Sequence, residues 1–444
     1  MINMKLDELK NILHDCGVVG AGGAGFPSYA KLDARADTII LNCAECEPLL
    51  RLHRQVLEHH TREILTALQI VSEAVEANQV IIAVKPNYNR AVEAVESQLP
   101  DFDNMRIGLL PNAYPAGDEV VTTYEVTGRV VPAGELPISV GVTVFNVETM
   151  LNIWFALQGG KPVVDKYITI AGAVRNPVTL KVPLGIEASK LVTLAGGAST
   201  GDFVLIGGGP MTGGLIHPSD PVTKTTNAIL VMPQDHLIVK KRKSNPALEM
   251  KRAMSACCQC RMCTDLCPRY LLGHPIEPHS FMRSASNGVT NNVEPYRNTY
   301  FCSACGLCEM YSCFQGLSPR SLMVNFKSEL RDHQVPMPEA DQKPVNSQRS
   351  GRYVPMSRLI ARLGLSQYNN PAPLLEDEIT VSRVRLMLSQ HVGAPAVPVV
   401  KIGDVVARGQ LVAACDPSRL GAGIHASISG KVHGITNRYI LIGN

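Results

Sequence analysis

Two runs of cysteine constrain this chain more than any other feature. The first reads C-C-Q-C-R-M-C-T-D-L-C-P and places Cys257, Cys260, Cys263 and Cys267 at C-x2-C-x2-C-x3-C, with Pro268 behind. The second reads C-S-A-C-G-L-C-E-M-Y-S-C and places Cys302, Cys305, Cys308 and Cys313 with one extra residue before the last cysteine and no proline after it. Thiolates separated by two residues converge on one metal centre, and three in a row embrace one face of a cube. All-cysteine zinc sites, the alternative, usually show two C-x2-C pairs with a longer gap. Three cysteines in register, twice, predict two [4Fe–4S] clusters instead. When two clusters share one chain, the fourth cysteine of each run ligates the other cluster. That rule assigns Cys257, Cys260, Cys263 and Cys313 to one cluster, and Cys302, Cys305, Cys308 and Cys267 to the other.

The cysteine count supports the same chemistry. Eight of the 13 cysteines are placed as ligands in the two runs, and the N-terminus, M-I-N-M-K-L-D-E-L-K, has no signal-peptide h-region. Metal ligation in a reducing cytoplasm is therefore expected rather than a disulfide framework. A net charge of +3 is too small to argue for a nucleic-acid or anionic-membrane partner. No apolar run is long enough to predict a membrane span. A length of 444 residues suggests about three domains.

Upstream of the cysteines the pattern alternates. Leu6, Leu9, Ile12 and Leu13 share one face of a short helix. A glycine loop follows, G-V-V-G-A-G-G-A-G-F-P, whose backbone N–H groups can approach a phosphate unobstructed. Strands are predicted at Thr38–Asn42, Val80–Val84, Met105–Leu110 and Val142–Phe145, and helices at Leu52–Ala77, Tyr88–Gln98, Glu119–Thr127 and Thr149–Leu157. His53, His59 and His60 fall in the long helix and are expected to be solvated or capping residues. The rhythm means a largely parallel sheet with helices on both faces. Ligands in such sheets sit beyond the carboxyl ends of the strands, where the polar clusters N-C-A-E-C-E-P, Y-P-A-G-D-E and N-V-E-T fall.

Taken with G-A-G-G-A-G-F-P-S-Y-A-K, these clusters resemble the four signatures of the complex I flavoprotein subunit and the RnfC family, in order across residues 12–157. The resemblance implies a Rossmann-like domain binding FMN, with NADH stacked against it. It implies that Gly20, Gly22, Gly23, Gly25 and Lys31 line the nucleotide and phosphate side, and that Asn42, Glu45 and Glu47 sit near flavin and nicotinamide. Glu119 is implied beside the nicotinamide, and Asn146 and Thr149 on the FMN phosphate side. Glu45, Glu47 and Glu119 are thus the candidate catalytic residues. The complex I loop carries an arginine where this chain has Ala21, which leaves phosphate neutralisation to backbone dipoles and Lys31. Cys43 and Cys46 form an isolated C-x2-C, conceivable as a redox dithiol, while Cys16, Cys258 and Cys415 read as ordinary thiols.

Residues 165–232 change to short strands around one helix, Ile186–Leu194, and resemble the β-grasp SLBB domain that follows the flavin domain in both families. The basic run Lys240–Lys243 reads as a solvated face, and residues 335–373, rich in Pro, Gln, Asn and Ser, as a flexible or loosely packed linker. At the end, K-I-G-D-V-V-A-R-G-Q-L-V-A with H-A-S-I-S-G-K-V resembles the barrel-sandwich fold of lipoyl and biotinyl carriers. Its tip, Ile428-Ser429-Gly430-Lys431, lacks the Met-Lys-Met that biotinyl carriers present for modification, so a structural or interaction role is expected.

The expected fold class is therefore α/β multidomain. Residues 1–160 form an FMN/NADH domain, 161–245 an SLBB β-grasp domain, 246–330 a bacterial-type two-[4Fe–4S] ferredoxin domain, 331–376 a linker, and 377–444 a barrel-sandwich domain. In RnfC the sandwich comes first; its place at the end here resembles the PduS-type cobalamin reductases of propanediol-utilisation microcompartments. That resemblance implies electrons passing from NADH through FMN and two clusters to cobalamin. No D-x-H-x-x-G motif is present, so the corrin is expected as a transient substrate. An adenosyltransferase and microcompartment shell or lumen proteins are the implied partners, in the cytoplasm inside a bacterial microcompartment. The alternatives are a soluble RnfC-like module working against ferredoxin or flavodoxin, and a non-enzymatic electron conduit.

Overall fold

The computed structural model describes residues 4–416 and 418–444. Residues 1–3, the start of the expected first domain and of the N-terminal signal reading, and Pro417, within the expected sandwich, lie outside the described residues. Helix α1 (Leu6–Asp15) buries Leu9 and Leu13. Beyond the glycine loop come β1 (Thr38–Cys43), α2 (Leu52–His59), α3 (Thr61–Val75), β2 (Gln79–Val84), α4 (Asn89–Glu96) and β3 (Met105–Leu109). Then follow β4 (Ala113–Tyr114), α5 (Glu119–Thr127), β5 (Val142–Asn146) and α6 (Val147–Leu157).

Strands β1, β2, β3 and β5 form a parallel sheet in the order β3-β2-β1-β5. Its central strands are apolar almost throughout because helices cover both faces. The chain leaves β1 towards β2 on one side and returns as β5 on the other. The switch point therefore lies between β1 and β5, where Asn42 and Asn146 are register partners.

The single helix expected over Leu52–Ala77 is two helices. The backbone turns at His60 (φ −123°, ψ 33°), whose Nε2 meets Glu376 at 2.8 Å. The turn lets α2 lie along α4 while α3 lies along α6.

The middle segment comprises β6 (Asp165–Gly172), β7 (Val178–Pro183), α7 (Ala188–Leu194), β8 (Phe203–Gly207), β9 (Gly214–Ile216) and β10 (Ala228–Pro233). They form a mixed sheet that α7 covers through Leu191 and Val192. Helices α8 (Leu237–Arg242) and α9 (Pro246–Ala256) lead into the cysteine region. There α10 (Met262–Asp265), α11 (Pro268–Leu271), α12 (Pro278–Ser286), α13 (Glu294–Arg297) and α14 (Pro319–Asp332) pack around Phe281, Phe301, Leu322 and Met323.

Residues 331–376 are not a loose linker. Lys343 N donates to Gly273 O, Asn346 N to Leu271 O, and Gln342 Oε1 accepts from Ala133 N. Strand β11 (Val354–Pro355) pairs with β4, α15 (Met356–Arg362) packs beside it, and β12 (Leu374–Leu375) joins the mixed sheet next to β7. The polar residues that read as linker composition are spent on long-range hydrogen bonds.

The last segment forms two facing sheets. One is β13 (Arg383–Met387), β19 (Tyr439–Gly443), β18 (Gly430–Ile435) and β15 (Val405–Val406), in that order; the other is β14 (Val397–Pro398), β16 (Leu411–Ala414) and β17 (Ile424–His425). This sandwich stands against the glycine loop. Val392 N donates to Ala24 O at 3.0 Å, and buried Lys224 Nζ joins Gly17 O at 2.7 Å to Gly423 O at 2.8 Å. A Cβ on Gly25 (φ +70°) would meet Gln390 O and His391 Cα at 3.2 Å, so the close approach needs glycine. Among the described residues no helix is long and apolar enough to cross a membrane.

Candidate functional site

The four motifs meet at the carboxyl ends of β1, β2 and β5. Asn146 caps α6 by accepting from Glu148 N at 3.0 Å, while its amide meets His53 Nε2 at 3.1 Å. Thr149, in the first turn of α6, accepts from Ala21 N at 2.9 Å and so pins the glycine loop to that helix. Gly22 faces Asn146 and Asn227. Gly23 (φ +64°) has no atom within 4 Å of where a Cβ would stand, so its backbone faces open space. Gly20 holds the loop closed by donating to Phe26 O. Lys31 Nζ reaches Glu119 Oε1 at 2.9 Å and Val144 O at 3.0 Å, which brings two of the expected site residues together.

Asn42 spans the loops, donating to Gly117 O and accepting from Ala44 N. The Glu45 carboxylate is buried and occupied: Oε1 accepts from His53 N and Oε2 from Arg54 Nε, each at 2.9 Å. The Arg54 cation outweighs the burial and keeps that carboxyl below its ordinary range. Glu47 behaves oppositely. Burial pushes its carboxyl up, while Met211 N, Thr212 N and the Thr212 hydroxyl donate to it. It ties the acidic loop to the turn between β8 and β9. A Cβ on Gly209 would stand 2.2 Å from Glu47 Oε2.

Several site residues carried no readable sequence signal. His53 is not solvated as expected; it is buried and held neutral, its imidazole pushed down to about 4 by burial. Lys85, just past β2, is 1% exposed, and its ammonium has no hydrogen-bond partner. A buried cation without a partner is costly, and this one lies under the acidic loop beside Cys46 and Glu45. Glu148 of N-V-E-T is a structural group, fully buried against Lys166 Nζ and Tyr167 N. Cys43 is fully buried and Cys46 Sγ accepts from Gly117 N at 2.6 Å; burial pushes the Cys46 thiol up to about 11.

The cysteine runs fold as two copies of one turn. In each run the two residues flanking the second cysteine are left-handed: Gln259 (φ 57°) and Arg261 (φ 67°) around Cys260, Ala304 (φ 57°) and Gly306 (φ 82°) around Cys305. Holding three non-glycine residues there costs about 1–2 kcal/mol each, which marks a turn kept for its shape. After the third cysteine the runs differ. The first continues into α10, and the second winds into a π-helix, Cys308–Ser312, which absorbs the extra residue before Cys313.

Cys257, Cys260, Cys263 and Cys313 line one cavity, and Cys267, Cys302, Cys305 and Cys308 line a second. The fourth cysteine of each run thus faces the other run's three. Burial pushes the thiols of Cys263 and Cys267 up to about 12 and about 11; such thiols ionise against a cation, which ligated iron supplies. Cys258 lines the first cavity as a fifth cysteine, and each cavity holds the four thiols that one cubane needs. The second cavity adjoins the flavin-side loops. Tyr114 Oη donates to Cys305 O at 2.5 Å, Arg269 Nη2 reaches both Asp118 oxygens at 2.8 and 2.9 Å, and Gly306 faces Met211 O. The first cavity opens outward beside exposed Cys258 and Cys260 and the 59% exposed ring of Phe314.

Fold and site together define a multidomain protein that joins an FMN-type α/β sheet to a dicluster module and a barrel-sandwich hybrid. The Nuo51 FMN-binding domain model matches residues 13–154, the 4Fe-4S dicluster domain model residues 256–318, and the RnfC barrel sandwich hybrid domain model residues 372–444. The chain is 42% identical over 442 residues to the cobalamin reductase PduS of Salmonella typhimurium, covering 99% of this chain and 97% of that one. It is 30% identical over 297 residues to one component of the Na(+)-translocating ferredoxin:NAD(+) oxidoreductase complex of Acetobacterium woodii, covering 66% of this chain and 64% of that one. A chain of the crystal structure of NAD+-reducing [NiFe]-hydrogenase in the H2-reduced state shares the fold, with a TM-score of 0.50, 19% identity, and coverage of 78% of this chain and 66% of that one. The chain belongs to the PduS family of cobalamin reductases.

Proposed function

We propose that this protein is an NADH-dependent cobalamin reductase, with electrons leaving a flavin through two [4Fe–4S] clusters. The observation that carries the reading is the contact of the Cys267/Cys302/Cys305/Cys308 cavity with the flavin-side loops, through Tyr114 and the Asp118–Arg269 pair. In this reading that set is the inner relay and the Cys257/Cys260/Cys263/Cys313 set, open to solvent, the outer one, and the contact supports that order. When bound, FMN supplies the exchange between two-electron nicotinamide and one-electron cluster chemistry.

The chain's own residues have separate tasks in this reading. The N–H groups of Gly22 and Gly23 and the N-terminus of α6 would hold the FMN phosphate. Gly20 and Gly25 shape the loop, and Thr149 and Asn146 fix it against α6. Lys31 orients Glu119 at the rim where nicotinamide enters. Asn42 would hold the loops beside a bound flavin, and buried Lys85 would supply a fixed positive charge beneath the acidic loop. Glu45, ionised and locked to Arg54, sets a fixed negative charge rather than moving a proton. Glu47, pushed up by burial, is the carboxyl able to hold one.

The division at residues 160, 245, 330 and 376 belongs to the same reading. So does an SLBB-type β-grasp identity for the middle sheet, which supports it by covering a mixed sheet with one helix. Placement inside a microcompartment, with an adenosyltransferase and shell or lumen proteins as partners, follows from the PduS relatives. The test is anaerobic incubation of reconstituted protein with NADH and cob(III)alamin. A cob(II)alamin spectrum dependent on NADH is expected, from a sample holding about eight irons and one FMN per chain. Reduction of ferredoxin with cobalamin reduced no faster than by free FMN would overturn it in favour of an RnfC-like module.

A further inference from the structure

We propose that a cleft between α6, the mixed sheet and the sandwich is a second small-molecule site, built for a ligand that joins an aromatic ring to a phosphate. The cleft has a volume of about 340 Å³, within the roughly 300–1,000 Å³ typical of ligand pockets, and it lies between modules, where such pockets concentrate. Phe155 comes from α6, Lys161 from the connection that follows, Tyr167 and Lys181 from the mixed sheet, and Arg408 from the sandwich.

Its charge is unbalanced. Three cations face one carboxylate, Asp165, and that carboxylate is already held by Arg408 Nη2 at 2.5 Å. Neither Lys161 nor Lys181 takes part in an ion pair among the described residues. Lys181 Nζ lies 5.4 Å from the Phe155 ring centre and 5.7 Å from that of Tyr167, so cation and aromatic surface occupy the same wall. A concave surface carrying unpaired cations concentrates anions, and the Phe155 face offers stacking. A bare phosphate would leave the ring unused, and an uncharged ring would leave exposed Lys161 without a counter-charge, whereas Lys181 already lies in the field of Glu376. A nucleotide-like ligand satisfies both.

The cleft is separate from the flavin site, and the proposal does not depend on the electron route. Thr149 in the first turn of α6 serves the glycine loop, while Phe155 lies about 9 Å further along the same helix. Two sources carry the required chemistry: a free mononucleotide, and the nucleotide tail of a corrinoid.

The test uses the full-length, cluster-loaded protein and AMP as probe, read by the fluorescence of Trp154, the single tryptophan, next to Phe155. Saturable binding of AMP is expected, with adenosine and inorganic phosphate each at least about tenfold weaker. Lys161→Ala and Lys181→Ala should each weaken AMP binding about tenfold. Lys161 is on the surface, so its variant separates ligand loss from folding loss at half-buried Lys181. Equilibrium dialysis of labelled AMP then identifies the source. Displacement by cobalamin but not by tail-less cobinamide assigns the corrinoid tail, and displacement by neither assigns a free nucleotide; both outcomes keep the site. No saturable AMP binding, adenosine bound as tightly as AMP, or binding unchanged in the double lysine variant overturns it.

Discussion

Arg269→Ala, at the join between the cysteine module and the flavin-side sheet, tests whether that join carries electrons as well as stability. Arg269 and Asp118 are 17% and 11% exposed, and the pair is bidentate. Asp118 Oδ1 also caps α5 through Val120 N at 3.0 Å. Removing one partner of a buried pair strands the other and costs about 3–5 kcal/mol. Because both side chains keep some solvent contact, the low end, about 3 kcal/mol, applies to Arg269→Ala. Asp118→Ala loses the cap as well, adding about 1 kcal/mol. The double variant strands no charge, so the two effects should fall short of additivity by about 2 kcal/mol. Guanidinium-induced loss of cluster absorbance in the anaerobic protein measures this cycle. Alongside it, NADH-driven reduction of ferricyanide reads the flavin and NADH-driven reduction of cobalamin reads the whole route. Arg269→Ala should lower the second far more than the first. Additive energies in the cycle, or equal loss of both activities, refute the reasoning.

Four further outcomes follow from the same geometry. Cys313→Ala should lose the outer cluster and keep the inner one, taking iron from about eight to about four per chain; equal loss of both, or loss of the inner cluster alone, in the paramagnetic resonance spectrum of the reduced protein contradicts the crossed assignment. Gly209→Ala drives a methyl into Glu47 and should cost about 1–3 kcal/mol, measured by thermal unfolding. His53 is held neutral at about 4, below its unfolded value of about 6.5. The unfolded chain therefore binds the extra proton first, and stability on the order of 3 kcal/mol, present above pH 6.5, should be lost as pH falls towards 4; His53→Gln should flatten that part of the stability–pH curve. Chelation of iron should expose amides in residues 257–313 to hydrogen exchange while leaving β1 and β2 protected, because the metal supplies local folding energy.

What was legible in the sequence divides along physical lines. The cysteine spacing carried the grouping of the thiols around two cavities because three thiols separated by two residues fit one turn. The irregular step to Cys313 also had a local solution, the π-helix. The four polar clusters could be placed at strand ends because alternation fixes where strands stop. Burial decided by distant partners was not readable. His53, His59 and His60 are alike in sequence, yet only His53 is sealed in, by Asn146 across the switch point. Lys85 follows a strand as many solvated lysines do, and its burial depends on the acidic loop folding over it. Residues 331–376 have the composition of a linker, but their donors and acceptors are matched to groups 70 and 209 positions away, at Leu272 and Ala133.

The contact between the sandwich and the glycine loop sets a timetable for making the protein. Ala24 is hydrogen-bonded to Val392, and Gly17 is bridged to Gly423 through Lys224. A ribosome adding about 5–20 residues each second reaches Gly423 some tens of seconds after Gly17. The loop lacks its outer wall until then, whereas the β3-β2-β1-β5 sheet has all its strands once Asn146 is made and the cysteine module has all its helices once Asp332 is made. Cluster insertion can therefore precede closure of the flavin pocket during synthesis, and a chain stalled before residue 390 should acquire iron yet hold flavin poorly.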